Sequence, residues 1–391
     1  MNESSLHAHR LLLRLGLSLV HAFAWIFIFE YFYLLSGNMG RALAGAVLLY
    51  AFAQFVTLVV TPVSAAHLAR GVKHSLVWGA LIAASAFTVL GASFSGYFQT
   101  PALWGLVAFA TLLGLYRALY WIPYTLASTE SAPLAHMRTY FEVLIALMPL
   151  FAGFTLVSIA AAPARLLFGA AALIVLSALP ALFMRDTRER FSWPYVYTYR
   201  QLFRRKNQGL VLQSLLEGMQ GAALFLIWPL AVFLIVEWSY SLLGLVFTIT
   251  LLAILLLRRF YRHLAESFGI KPSSAVHTVF AVSGWVARLA AGTPVGIVIA
   301  DAYSYTTQPE RGTRADPFSF EHASDRGAFL DEYTALKEIA LGFGRIMLCI
   351  IVFFLASVLA LPVVFATALL IAAAAAGVST LVAQRLSPAT Y

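Results

Sequence analysis

Five ionisable side chains interrupt long apolar runs in this chain: Glu30, Arg117, Glu217, Asp301 and Arg345. A charge at the centre of a bilayer costs about 2.5–3.5 kcal/mol on insertion scales, so such groups are expected to face a protein interior and to pair there. Two arrangements are open. One is internal salt bridges, such as Arg117 with Glu142 or Arg345 with Glu338 two turns below it. The other is chemistry: Glu30, Glu217 and Asp301 outnumber nearby cations, and carboxylates that stay neutral when dry and ionise when wetted can exchange protons. The neighbours are aromatic or small. Tyr120, Trp121 and Tyr124 follow Arg117, as a cavity wall or an interfacial belt. Tyr303 follows Asp301. Gly218 and Gly221 follow Glu217, and Gly342 and Gly344 precede Arg345, where helices could approach closely. His21 reads as a hydrogen-bonded packing residue that could titrate. The single cysteine, Cys349, allows no intramolecular disulfide and no thiolate metal site.

These groups must be carried by membrane helices. The chain has 391 residues, 61% of them hydrophobic and only 11% charged, with a mean hydropathy of +0.84. It lacks the polar side chains to cover a soluble globule. Its apolar runs are roughly 20 residues long, the length of a helix that crosses a bilayer, and they lack the alternation of a barrel strand. The expected fold is an all-α membrane protein of about twelve spans, at 15–36, 42–66, 75–97, 101–126, 139–160, 165–184, 209–236, 241–261, 274–290, 294–308, 336–358 and 361–384. The two spans at 274–308 are short and separated by Gly292-Thr293-Pro294. The first apolar run is too long for a signal-peptide core and reads as a retained helix.

The net charge of +9 does not indicate nucleic acid, because the cations sort by membrane side. With both termini cytoplasmic, about 21 of the 26 Lys and Arg fall on the cytoplasmic side, Arg41, Arg165 and Arg288 fall outside, and Arg117 and Arg345 lie within spans. The expected location is a bacterial cytoplasmic membrane.

The chain also repeats itself. His67-Leu68-Ala69-Arg70-Gly71-Val72-Lys73-His74 and His263-Leu264-Ala265-Glu266-Ser267-Phe268-Gly269-Ile270-Lys271 each follow the second span of a half. Glu142 and Glu338 open the fifth and eleventh spans alike. Residues 1–184 and 209–391 therefore read as two duplicated six-helix bundles. Residues 185–208 form a cationic, aromatic linker suited to the headgroup boundary. The polar loop 308–332, with Glu321-His322, carries no assigned chemistry.

Six plus six helices, a cytoplasmic linker and that repeated turn resemble the major facilitator superfamily, whose turn reads approximately G-x-L-A-D-R-x-G-R-R. Glu266, Gly269 and Lys271 match its acid, glycine and last cation. The first copy keeps Lys73 but has no acid. The resemblance implies a secondary active transporter that works by alternating access. It implies a cytoplasmic gate around Lys73, Glu142, Glu266, Gly269, Lys271 and Glu338. It also implies that the first, fourth, seventh and tenth helices line a cavity, which gathers Glu30, Arg117, Tyr120, Trp121, Glu217, Asp301 and Tyr303 as candidates for substrate binding and proton coupling. The expected partners are the lipid bilayer, a small solute and protons, with no nucleic acid, no cofactor, no metal and a monomeric chain. No Gly-rich phosphate loop ending in Lys-Ser or Lys-Thr is present, which argues against an ATPase. An intramembrane lipid-modifying enzyme and a non-transporting sensor or assembly protein are the alternatives.

Overall fold

The computed structural model describes residues 2–95, 102–129, 135–158, 162–268, 274–306 and 330–386. The first half of the chain folds into α1 (Asn2–Ser36), α2 (Met39–His67), α3 (Val72–Phe94), α4 (Ala102–Thr129), α5 (Ala135–Ser158) and α6 (Ala162–Leu182). A short α7 (Tyr195–Arg200) lies in the linker. The second half contains α8 (Gln208–Ala222), continued by a π-helical turn (Ala223–Ile227) into α9 (Trp228–Ile235). It is completed by α10 (Tyr240–Phe268), α11 (Ser274–Leu289), α12 (Pro294–Thr306), α13 (Leu330–Val358) and α14 (Leu361–Leu386). Ten helices among the described residues are long and apolar enough to span a membrane, with α8, the π turn and α9 counting as one. The pair α11 and α12 is shorter and falls where the sequence predicts two short helices.

Packing follows one plan in both halves. In the first, α1 lies on α5 and α6, α2 on α4, and α3 on α4 and α6. In the second, α8 lies on α13 and α14, α10 on α12, and α11 on α12 and α14. The halves meet where α2 runs along α13 and α5 along α10. Glycine lets the latter pair touch: a Cβ on Gly153 or Gly244 would collide with backbone of the other helix. In lipid, such close backbone approach replaces the hydrophobic drive that packs soluble helices.

Prolines in these helices leave carbonyls without a donor, because a proline has no N–H to return to the residue four before it. Pro62 strands the carbonyl of Leu58, which accepts the Tyr199 hydroxyl at 2.8 Å, while the neighbouring Val59 carbonyl accepts the Tyr195 hydroxyl at 3.1 Å. Pro149 strands that of Ile145, which accepts Ser18 Oγ at 3.0 Å. Unsatisfied backbone is costly at membrane depth, so each kink fixes a side chain from another element.

The bundle has a proximal face, where α1 begins, and a distal face, where it ends. On the distal face the turn from α9 to α10 holds Glu237 and Trp238 at φ of 55° and 63°, a left-handed conformation that bulky residues seldom adopt. The turn places the Trp238 ring 5.9 Å from Phe29, 5.3 Å from Tyr33 and 5.4 Å from Phe233. Tyr240 stacks near Phe23 and Phe27, and its hydroxyl donates to Glu30. Aromatic rings and one charge-assisted hydrogen bond thus tie α1 to the start of α10 and close that face.

On the proximal face the linker packs under α2 and α13. The N–H and Oγ of Ser192 both donate to Glu332 Oε1, at 2.9 and 2.5 Å, and Trp193 lies 5.5 Å from Tyr333. Of the linker aromatics expected at a lipid surface, Trp193 and Tyr199 are engaged by protein, whereas Tyr195 and Phe203 remain exposed.

Candidate functional site

Arg117 and Arg345 sit close to the midpoints of α4 and α13, two helices from opposite halves that touch across the interface. The two guanidinia feel each other's charge. Arg345 is only 4% exposed, and its one hydrogen bond runs from Nη1 to Gln54 Oε1 on α2 at 3.2 Å. Its Nε is buried without a partner, and so is the Nε of Arg117. Gly221 on α8 faces this side chain, and a Cβ there would lie 3.6 Å from Arg345 Nε, in ordinary contact. Tyr50, one turn before Gln54, is buried with an unpartnered hydroxyl and lies in the field of both arginines. The ring of His21 on α1 lies in the field of Arg117.

Neither expected salt bridge forms among the described residues. Arg117 has no carboxylate within ion-pair distance, and Glu142 stands half-buried on α5. Glu338 exerts an attraction on Arg345 without touching it, and Glu338 Oε2 is buried with no hydrogen-bond partner. The centre of the molecule thus holds two cations that no carboxylate touches, with unpartnered acceptors such as Glu338 Oε2 and Gln220 Oε1 left elsewhere.

The three acids each bind a different partner. Glu30 accepts the Tyr240 hydroxyl near the distal face. Glu217 lies 4.0 Å from Lys337 Nζ and accepts Gln213 Nε2 at 3.1 Å, bridging α8 and α13. Asp301 is buried: its Oδ1 is 2.7 Å from Arg288 Nε and its Oδ2 accepts Trp228 Nε1 at 2.9 Å. The Arg288 guanidinium lies 4.5 Å from the centre of the Trp285 ring. Arg288 is 3% exposed, and it serves as the counter-ion of Asp301.

The aromatic candidates do not gather around Arg117. Tyr120 is buried against α3, where Gly79 accommodates it, with the His9 ring 5.7 Å away. Trp121 is 36% exposed on the outside of α4. Tyr303 hydrogen-bonds Ser283 at 2.8 Å, joining α12 to α11. Gly218 and Gly344 are packing residues, since a Cβ on either would collide with a backbone carbonyl of the facing helix, Leu341 or Leu215.

Of the gate residues, Lys73 contributes its backbone N–H, which donates to Asp186 Oδ1 at 3.2 Å, while Asp186 Oδ2 lies 3.5 Å from His74 Nδ1. The acid missing from the first turn is thus supplied by the segment after α6, within the same half. Gly71 is required there, with φ of +125° and no room for a Cβ beside that carboxylate. Gly269 and Lys271 lie outside the described residues, as do the side chain of Glu266 and the loop with Glu321-His322.

Sequence reasoning passed over Gln54, Tyr50 and Trp228. Gln54 alone carried a signal, an amide inside the apolar run Ala51-Phe52-Ala53-Gln54-Phe55-Val56.

No protein-family model matches the chain, and no curated protein does. Solved structures do match in fold. A D-xylose-proton symporter aligns with a TM-score of 0.65 at 12% identity, over 99% of this chain and 98% of that one. A peptide transporter POT in complex with sulfate aligns at 0.65 and 12% identity, over 98% and 95%. A bacterial homologue of the iron transporter ferroportin, in an outward-facing state, aligns at 0.61 and 17% identity, over 98% of both chains. The chain is an all-helical membrane protein with the fold these transporters share, the fold expected from the resemblance to the major facilitator superfamily.

Proposed function

We propose that the chain is a secondary carrier that moves a small solute across a bilayer by exposing a central site to one side and then the other. The observation that carries this reading is the polar centre itself. Arg117, Arg345, Gln54 and Tyr50 come from both halves and meet midway along their helices, where hydrocarbon tolerates polar groups only if they face a path or each other. That the solved proteins sharing this fold are transporters favours the same reading over an enzyme or a sensor.

The matched packing of α1–α6 and α8–α14 supports two duplicated bundles joined by the linker, with α11 and α12 completing twelve crossings. The cation distribution supports cytoplasmic termini, and a bacterial inner membrane suits that orientation. Of the three acids, Glu217 has the loosest partnership, being 32% exposed and 4.0 Å from its lysine. It is therefore the residue proposed to exchange a proton, while Glu30 with Tyr240 acts as a distal latch.

Purified protein in liposomes, given solute and an imposed proton gradient, should show flux that stops when the gradient is collapsed. Absence of flux for every class of small solute, under gradients of either polarity, would remove the carrier reading. Glu217→Gln should abolish the pH dependence of that flux. A variant with unchanged pH dependence would assign the coupling elsewhere.

A further inference from the structure

The central arginines lack a counter-ion, and what they lack identifies what they bind. His21, Tyr50, Tyr116 and Arg345 lie in the field of Arg117, and no ion pair joins Arg117 to a carboxylate among the described residues. Arg117, Tyr50, Cys349 and one carboxylate, Glu338, lie in the field of Arg345. Two arginines thus face one carboxylate, Glu338, that forms an ion pair with neither. Unpartnered donors point the same way: Arg117 Nε, Arg345 Nε and the Tyr50 hydroxyl are all buried and unpartnered, and the unpartnered acceptors Glu338 Oε2 and Gln220 Oε1 bond neither arginine. Leaving a buried cation uncompensated is unfavourable, and a guanidinium fork matches a planar oxyanion that accepts two parallel hydrogen bonds.

We infer that Arg117 and Arg345 together bind the carboxylate of a singly charged organic anion, with the Tyr50 hydroxyl as a third donor. With Glu338 set against the two arginines, a monocarboxylate balances these charges, whereas a dianion would overshoot them. The site spans α2 and α4 of one half and α13 of the other, so a bound carboxylate bridges the two halves. As a statement about substrate this rests on the carrier reading, but as a statement about binding it does not.

The test uses the full chain in lipid nanodiscs, with formate and acetate as minimal probes, formamide and acetamide as neutral matches, and succinate, phosphate and chloride as competing anions at equal ionic strength. Formate and acetate should raise the unfolding temperature in a saturable way, and the amides should not. Arg117→Gln and Arg345→Gln should each weaken the response about tenfold or more, the effect of losing a charged hydrogen bond. Without probe they should unfold no earlier than the wild type, because each removes one of two repelling charges. Gln54→Glu deletes neither arginine. It places a carboxylate 3.2 Å from Arg345 Nη1, and should raise the unfolding temperature and remove the response to acetate. Equal stabilisation by the amides or by chloride, a stronger response to phosphate or succinate, or full acetate response in both arginine variants would overturn the inference. Acetate binding without any flux in liposomes would instead remove the carrier reading and leave the anion site standing. Flux of a neutral or cationic solute that is indifferent to Arg117→Gln would do the reverse.

Discussion

Arg288 and Arg345 are both about 96–97% buried within the helical bundle, and they live in opposite surroundings. Arg288 has Asp301 at 2.7 Å, the Trp285 ring against its face, and Trp228 holding the far oxygen of the same carboxylate. The charged groups of that cluster are paired inside α9, α11 and α12, although the Trp285 indole N–H is buried without a partner. Arg345 has an amide at 3.2 Å, another arginine in its field, and an empty Nε. A completed ion pair within one half locks helices together and needs nothing further. A cation left incomplete at the meeting of two halves is unfavourable in isolation, and the protein tolerates it because something else completes it. Burial of a charge therefore does not identify function in a membrane bundle; the balance of charge around it does.

The largest effect should come from breaking the complete pair. Arg288→Ala leaves Asp301 charged and buried, and should destabilise the protein by about 3–5 kcal/mol, read as lost yield and a lower unfolding temperature. Arg288→Met combined with Asp301→Leu should recover most of that loss, and a double variant as unstable as the single would deny the pairing. Trp228→Phe removes one hydrogen bond to the same carboxylate and should cost about 1.5–3 kcal/mol by thermal unfolding.

A smaller effect tests the packing that frames the central site. Gly344→Ala pushes a methyl group into the Leu215 carbonyl and should cost about 1–3 kcal/mol, with acetate response reduced because α8 and Gly221 move away from Arg345. The smallest effect lies in the linker. Tyr199→Phe gives up the bond to the Leu58 carbonyl and should cost about 0.5–1.5 kcal/mol. Burial and the neighbouring Tyr195 hydroxyl raise the Tyr199 phenol above its ordinary 10.0, so the fold favours the protonated form. The unfolded chain then loses its proton first, and the stabilisation present below pH 10.0 should decline as pH rises beyond it. Unfolding temperatures measured from neutral to alkaline pH should show a slope that Tyr199→Phe flattens.

The helices were legible because hydrocarbon imposes length and apolarity on each span, and even the short pair α11 and α12 could be read from Gly292-Thr293-Pro294. The five interrupting charges were legible for the same reason. Their partners were not. Arg345 with Glu338 and Arg117 with Glu142 looked like pairs because they lie near one another in sequence or on adjacent helices. The structure gives Arg345 to Gln54, 291 positions away, and leaves Arg117 without a carboxylate. Arg288 ends a short apolar run, where a cation ordinarily marks the membrane border, so its partner Asp301 could not be read from the sequence. Asp301, two turns into α12, meets it across the α11–α12 turn. The first turn lost its acid in the sequence and regained one in space, from Asp186.

The five-residue π turn between α8 and α9 holds one residue more than an α-helix of the same rise would need. Such slack is a stored rotation. If the extra residue were absorbed into regular α-helix, the segment before it would wind by about 100° relative to the segment after it, since 3.6 residues make a turn. Gly221 would swing away from the Arg345 guanidinium and Glu217 away from Lys337, while Trp228 and Pro229 beyond the turn kept their grip on the Asp301 cluster. One helix could in this way wring the central site open with its distal end held fixed, as a key turns in a lock whose plate does not move.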